Sequence, residues 1–187
     1  MGEKRTKEWY DKELNTIGMA VFNTGVHEKR GSALAELIAK DSPKKIFEFA
    51  AGGSILAQKV ISLLPQAAYF WSDFSDTAIE DARKNLVLPN FSIWSIDIDS
   101  FYPKIEWANF DAIVCVSMEH LAHDREILEA VPLGKKVFLS IPNIDAPDHI
   151  RVLNKTDDIY ARYGDIIKIE SITPCTKLFK LVVGTRY

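Results

Sequence analysis

Three regimes of polar and apolar spacing follow one another along this chain. Over the first forty residues the apolar positions, among them Trp9, Leu14, Ile17, Leu34, Leu37 and Ile38, recur at helical spacing. Asp41-Ser42-Pro43 ends that region, because proline breaks a helix and biases the residue before it towards extended backbone. An alternation of element types follows. Short β-rich runs are predicted at 45–49, 68–72, 91–96, 110–116 and 136–140. Between them Leu56, Val60 and Leu63 or Leu64 form one apolar helical face, Ile79, Ala82 and Leu86 a second, and 124–130 a shorter helix. Ser54 and Ser75 stand at helix-cap positions. The run at 110–116 is nearly all apolar, as expected of a parallel strand covered on both faces.

The last regime is different. A helix around 156–163 precedes two β-rich runs, 165–172 and 177–183, joined by a few residues that include Pro174. So short a connection cannot hold a parallel crossover, so these strands form an antiparallel hairpin. The predicted fold class is α/β: a doubly wound, mostly parallel seven-stranded sheet with an antiparallel C-terminal β-hairpin. A single domain over 1–187 is expected, with the helices of 1–42 forming part of a cover over the ligand sites and 43–187 the core.

Composition narrows the classes. A length of 187 residues fits one domain, and 47% hydrophobic with 26% charged residues is the ordinary globular mixture. The net charge of −3 argues against a large nucleic-acid footprint, which needs basic residues against phosphates. Cys115 and Cys175 lack CxxC spacing and make neither a zinc motif nor a disulfide framework, so a reducing, cytoplasmic location is the simplest expectation. No apolar run approaches bilayer length and no signal peptide is visible, so no membrane association is expected. Met1-Gly2-Glu3-Lys4-Arg5-Thr6 fits a loose N-myristoylation pattern, but such patterns arise often by chance and a solvated, charged N-terminus is the simpler reading.

Candidate chemistry collects after the strands, where a doubly wound sheet binds its ligands. Glu48 closes the first strand, and the small residues Ala50, Ala51, Gly52 and Gly53 let a ligand approach the turn. Asp73 ends the second strand, where a carboxylate accepts bidentate hydrogen bonds from the two ribose hydroxyls of an adenosine cofactor. Asp97 follows the third strand; it can accept from an adenine amino group while the backbone nitrogen of Ile98 donates to the ring. Each acid alone reads equally well as a cap or surface carboxylate; three after three successive strands form a gradient along one ligand.

With these residues in place, the chain resembles the class I S-adenosylmethionine-dependent methyltransferases, whose core is Rossmann-like. Glu48-Phe49-Ala50-Ala51-Gly52-Gly53-Ser54 is similar to the family's first motif, although Ala50 and Ser54 stand where glycines are usual. The segment Asp73-Phe74-Ser75 with Ile79, Ala82 and Arg83 matches, Asp97 falls at the family's adenine contact, and Ser117-Met118-Glu119-His120-Leu121 resembles a fourth-strand motif that commonly ends in Glu-His. The resemblance implies S-adenosylmethionine as cofactor, S-adenosylhomocysteine as product, and cofactor contacts from Glu48, Ala50, Ala51, Gly52, Asp73, Phe74, Asp97, Ile98, Ser117 and Met118. A nicotinamide-dependent dehydrogenase, the nearest rival, needs a G-x-G-x-x-G turn to seat a pyrophosphate, and here only adjacent glycines occur.

For catalysis, His120 and His149 are the candidates, as base or as acceptor-orienting residues, set against ordinary structural histidines. Arg151 hints at an acidic acceptor. Glu119, His120 and His123 lie close in sequence, but not in a recognised ligand spacing, so no metal is expected. The fourth-strand segment has nothing of the Asn/Asp-Pro-Pro-aromatic quartet that stacks on flipped bases, so the expected partner is a small-molecule acceptor with an O- or N-nucleophile. A catalytically silent cofactor-binding or partner-activating protein is the alternative. The sequence leaves oligomeric state and the identity of the acceptor open.

Overall fold

The computed structural model describes residues 4–146 and 148–187, so the start of the myristoylation pattern lies outside the described residues. The chain opens with α1 (Lys7–Ile17), a 3-10 turn (Met19–Asn23) and α2 (Gly25–Asp41). The breaks between them fall at Gly18 and Gly25, both at positive φ. Then come β1 (Lys45–Phe49), α3 (Ile55–Leu63), β2 (Ala68–Asp73), α4 (Asp76–Asn85), β3 (Phe91–Ser95) and the short α5 (Ile98–Phe101). The second half holds β4 (Ala112–Cys115), α6 (Asp124–Ala130), β5 (Lys136–Pro142), α7 (Thr156–Tyr163), β6 (Ile167–Cys175) and β7 (Phe179–Arg186).

The seven strands form one sheet in the order β3-β2-β1-β4-β5-β7-β6. β1 to β5 pair in parallel, and β7 runs antiparallel to both β5 and β6. The winding reverses between β1 and β4, which puts the ligand crevice outside their carboxyl ends. The ends of β4, β5, β6 and β7 all differ from expectation, and two of the differences have a clear cause. Phe110 and Asp111 precede β4, where the Asp111 carboxylate accepts the amides of Lys44 and Lys45 at 3.0 Å and pins the start of β1. Pro174 lies inside β6, opposite Lys180, and the turn is only Thr176 to Leu178. β6 is an edge strand, so the missing proline N–H costs no ladder bond on its open side.

Strand alternation divides the core into two layers. Ile46, Tyr69, Trp71 and Val114 pack under Leu34, Ile38, Leu56, Val60, Ile79 and Ala82 of α2, α3 and α4. Phe47, Phe49, Ile113, Cys115 and Leu139 face Ile98, Ile127, Leu128, Ile159 and Tyr163 of α5, α6 and α7. Burying each such large side chain stabilises the fold by about 1.5–3 kcal/mol. No helix of the described residues is long and apolar enough to cross a membrane. Both cysteines are free and buried.

Candidate functional site

A cavity of about 360 Å³ opens along the carboxyl ends of the strands on the β1-β2-β3 side of the switch point. Its floor comes from Ala50 and Gly52 after β1, Asp73 to Ser75 after β2, Ile96 to Asp99 after β3, and Ser117, His120 and Leu121 after β4. Its roof is the N-terminal region: Lys4, Trp9, Tyr10, Glu13, Leu14, Ile17 and Phe22. That roof is tied down at α4. The Ser75 hydroxyl donates to Asp11 at 2.5 Å, Thr77 N–H donates to the same carboxylate at 3.2 Å, and Lys7 pairs with Asp76 at 2.7 Å. Gly53 meets the roof from below; a Cβ there would lie 2.8 Å from Phe22 Cβ, so no other residue fits without moving the cover.

The acids after β2 and β3 are held by donors. Asp73 Oδ1 accepts the amides of Phe74 (2.8 Å) and Ser75 (2.9 Å), and Oδ2 accepts the amide of Gly52 at 2.9 Å. A carboxylate has about four lone-pair positions, so one is left, on Oδ2. This is half of the bidentate capacity expected from the sequence. Burial raises the Asp73 pKa, against the three amides that favour its charged form. Ala50, beside it, holds φ at +49°, a left-handed conformation in which glycine would be unstrained. The turn therefore keeps the backbone shape of a glycine position with an alanine in it.

Asp97 caps α5. Oδ1 takes Lys4 Nζ at 3.0 Å and the Asp99 amide at 3.2 Å, while Oδ2 takes Lys4 Nζ at 2.9 Å and the Ser100 hydroxyl at 3.1 Å. Asp99, buried behind it, accepts the amides of Ala122 and His123 at 3.0 and 2.9 Å and an ion pair from Lys4 at 3.0 Å. Burial opposes ionisation of Asp99, but those amides and Lys4 outweigh it and lower its pKa.

The loops after β4 and β5 are locked together. The Ile150 amide donates to Glu119 O at 2.9 Å, and Arg151 donates to Met118 O at 2.9 Å, bonds Leu121 O as well, and pairs with Asp124 at 3.2 Å. Arg151 is thus a brace between two loops and no part of the cavity wall. His120 lines the cavity, edge-on to Tyr10 and to His149 with ring centroids 5.7 and 5.2 Å away. Burial lowers the His120 pKa, although Asp148 pulls the other way. Glu119 is buried, and that burial pushes its pKa up to about 8; Oε2 finds no hydrogen-bond partner among the described residues.

Of the residues singled out in the sequence, Ala50, Gly52, Asp73, Phe74, Asp97, Ile98, Ser117 and His120 share this one cavity. Glu48, Ala51, Met118 and His149 stand behind its wall. Alternation turns Glu48 with Ile46 into the α2 and α3 layer, where it accepts the Tyr69 hydroxyl at 2.8 Å and burial pushes its pKa up to about 8. Lys4, Glu13 and Asp99 were not foreseen as wall residues. Asp99 had a signal in the sequence, a second acid two places after Asp97; Lys4 and Glu13 had none.

No protein-family model and no curated protein matches this sequence. Solved structures match its shape. One is a SAM-dependent methyltransferase from Aquifex aeolicus, at a TM-score of 0.69 and 11% identity over 90% of this chain and 97% of that one. Another is magnesium protoporphyrin IX methyltransferase from Synechocystis PCC 6803 with bound SAM, at 0.70 and 14% over 97% of both chains. The chain has the fold of SAM-dependent methyltransferases. An O-methyltransferase family protein from Burkholderia thailandensis is similar over 96% of this chain and 59% of its own length, at a TM-score of 0.62 and 13% identity. At such identities the methyltransferase fold is what is shared, and the site must be argued from its own residues.

Proposed function

We propose that this chain is a single-domain S-adenosylmethionine-dependent methyltransferase that transfers the methyl group to an O- or N-nucleophile of a small molecule by in-line displacement. The observation that carries the reading is the cavity itself. It lies at the switch point of a methyltransferase fold and joins the turn after β1 to acids after β2 and β3. Its volume falls in the range of small-molecule pockets, roughly 300–1,000 Å³.

In this reading the adenosyl group lies along the floor. The open position on Asp73 Oδ2 takes one ribose hydroxyl, and the second hydroxyl competes with the Gly52 amide. Phe74 and Ile98 would flank adenine, and Asp97 would accept its amino group in the place Lys4 Nζ now holds. Cofactor entry therefore displaces Lys4. Ala50, Gly52 and Ser117 contact the methionine portion, while Glu48, Ala51 and Met118 support it from behind the wall.

The sulfonium is already a good leaving group, so the chain's work is alignment and exclusion of water. The roof of α1 supplies the exclusion. His120, where floor meets roof, orients the acceptor and takes its proton when the acceptor must lose one. Its lowered pKa keeps the imidazole neutral near pH 7, the form a base requires. Calorimetric titration tests the reading: S-adenosylmethionine and S-adenosylhomocysteine bind one per chain and NAD does not. Binding of NAD alone would return the fold to the dehydrogenase class. Turnover to S-adenosylhomocysteine with a metabolite pool, above the rate without acceptors, separates an enzyme from a silent cofactor-binding protein.

A further inference from the structure

Behind His120 the two loops bring together three metal-ligating side chains, Glu119, His120 and His149. One ligand atom each from Glu119, His120 and His149 lies within 4.8 Å of the others. His120 Nδ1 sits 3.2 Å from the carbonyl of Asp148, and His149 Nδ1 sits 3.1 Å from the carbonyl of Ile144. A carbonyl oxygen only accepts, so each Nδ1 carries the hydrogen and each Nε2 is left as a bare lone pair. His120 Nε2 then points at Glu119 Oε1, 3.5 Å away, a contact that needs a shared proton or a metal ion between the two atoms. The other Glu119 oxygen is buried with no partner among the described residues. A proton relieves that contact but leaves the second Glu119 oxygen unpartnered, whereas a metal ion engages the carboxylate and both imidazoles together.

We propose that Glu119, His120 and His149 form a binding site for one divalent transition-metal ion, zinc by the chemistry of its ligands, with the fourth position open to the cavity. Two neutral imidazoles and one carboxylate are the ligand set of catalytic zinc sites, which keep an open position for water or substrate. The Nδ1–H bonds to backbone carbonyls are the outer contacts that fix such imidazoles in orientation and tautomer. Ligand atoms on a tetrahedral ion at about 2.0–2.2 Å lie roughly 3.3–3.6 Å apart. The Glu119–His120 separation already has that value, and the others lie within 4.8 Å. His123, the neighbour in sequence, has no part in the set; its Nδ1 lies 3.6 Å from Asp99, on another side of the loop.

Metal binding itself is independent of the methyltransferase reading. The consequence for substrate rests on that reading: with the ion bound, His120 Nε2 is a ligand and no longer free to act as base, and the ion instead would take the acceptor through an oxygen and lower its pKa, which narrows the acceptor class to hydroxyl compounds.

The test uses the full chain carrying no added histidine tag, stripped with a chelator and titrated with Zn²⁺ and Co²⁺. One ion per chain is expected, with visible absorption from Co²⁺ in a low-coordinate nitrogen–oxygen site and its loss on adding Zn²⁺. Mg²⁺, which prefers all-oxygen ligands, leaves that absorption unchanged. Glu119→Gln and His149→Asn each weaken binding by more than about 100-fold, whereas His123→Asn stays within about threefold of wild type. Far-UV circular dichroism checks that the variants fold, and Zn²⁺ raises the unfolding temperature of the wild type but not of Glu119→Gln. Absence of a stoichiometric ion, or equal binding by wild type, Glu119→Gln and His149→Asn, overturns the site. Titrating S-adenosylmethionine into the same stripped protein separates the two readings: loss of cofactor binding with the ion retained sinks the function and not the metal site, and the reverse sinks only the metal site.

Discussion

The two halves of the sheet's upper edge handle their carboxylates in opposite ways. On the β1-β2-β3 side, Asp73, Asp97 and Asp99 are surrounded by donors, mostly backbone amides with Lys4 added. On the β4-β5 side, Glu119 faces the bare nitrogen of His120 and leaves one oxygen unpartnered. The first half is already satisfied, with single positions left for a hydroxyl or an amino group. The second half leaves one buried carboxylate oxygen without a donor among the described residues. A satisfied cluster holds a ligand by adding to an existing network, whereas an unsatisfied one is completed by what it binds. In the proposed reaction the first half grips the cofactor and the second handles the acceptor.

That division predicts separate kinetic signatures. Asp73→Ala should remove measurable S-adenosylmethionine binding, since it takes away the ribose contact and leaves the amides of Gly52, Phe74 and Ser75 without their acceptor. Asp73→Asn, which keeps the shape, should cost about tenfold or more, read by the same titration. His120→Ala should lower kcat by on the order of 100-fold while cofactor Kd stays within about threefold. If His120→Ala instead weakens the cofactor as strongly as Asp73→Ala, the two halves are one site and the division fails.

A smaller effect concerns stability. The folded-state pKa of Glu48 lies near 8, above its ordinary value of 4.5, because burial disfavours the charge. Folding therefore favours the protonated form. Its contribution is complete below about pH 4.5 and is lost as pH rises through 8. Glu48→Gln does not titrate, so its unfolding free energy should fall less than that of wild type between pH 5 and 9, by up to roughly 4 kcal/mol in denaturant melts. Equal slopes would mean that Glu48 is ionised within the fold. The smallest effect belongs to the turn beside it. Ala50→Gly relieves a left-handed alanine and should stabilise the fold by about 0.5–1 kcal/mol without loss of cofactor affinity.

The satisfied half was the legible one. A strand end fixes where its last side chain goes, so apolar runs closing on Asp73 and just before Asp97 placed both acids on one edge before any coordinates. The same rule misled at Glu48, which looked like an edge residue but falls on the layer side of the alternation. The unsatisfied half depends on ties between distant residues. His149 reaches Glu119 only because Ile150 and Arg151 bond the backbone of 118–122, and no spacing encodes that contact. Sequence proximity grouped Glu119 and His120 only with His123, in no recognised ligand spacing, so no metal was expected. An N-terminal cover was expected, but its wall residues could not be told apart from core: Trp9, Tyr10 and Leu14 on α1 carry the apolar spacing of a core helix, and that spacing is the same whether the face covers a core or a cavity.

The most direct measurement is a crystal structure with S-adenosylhomocysteine bound. The account predicts the adenosyl group on the floor beneath α1, a ribose hydroxyl on Asp73 Oδ2, and Lys4 withdrawn from Asp97. A complex in which Asp73 keeps only its three amide partners, with the ligand elsewhere on the chain, would contradict it.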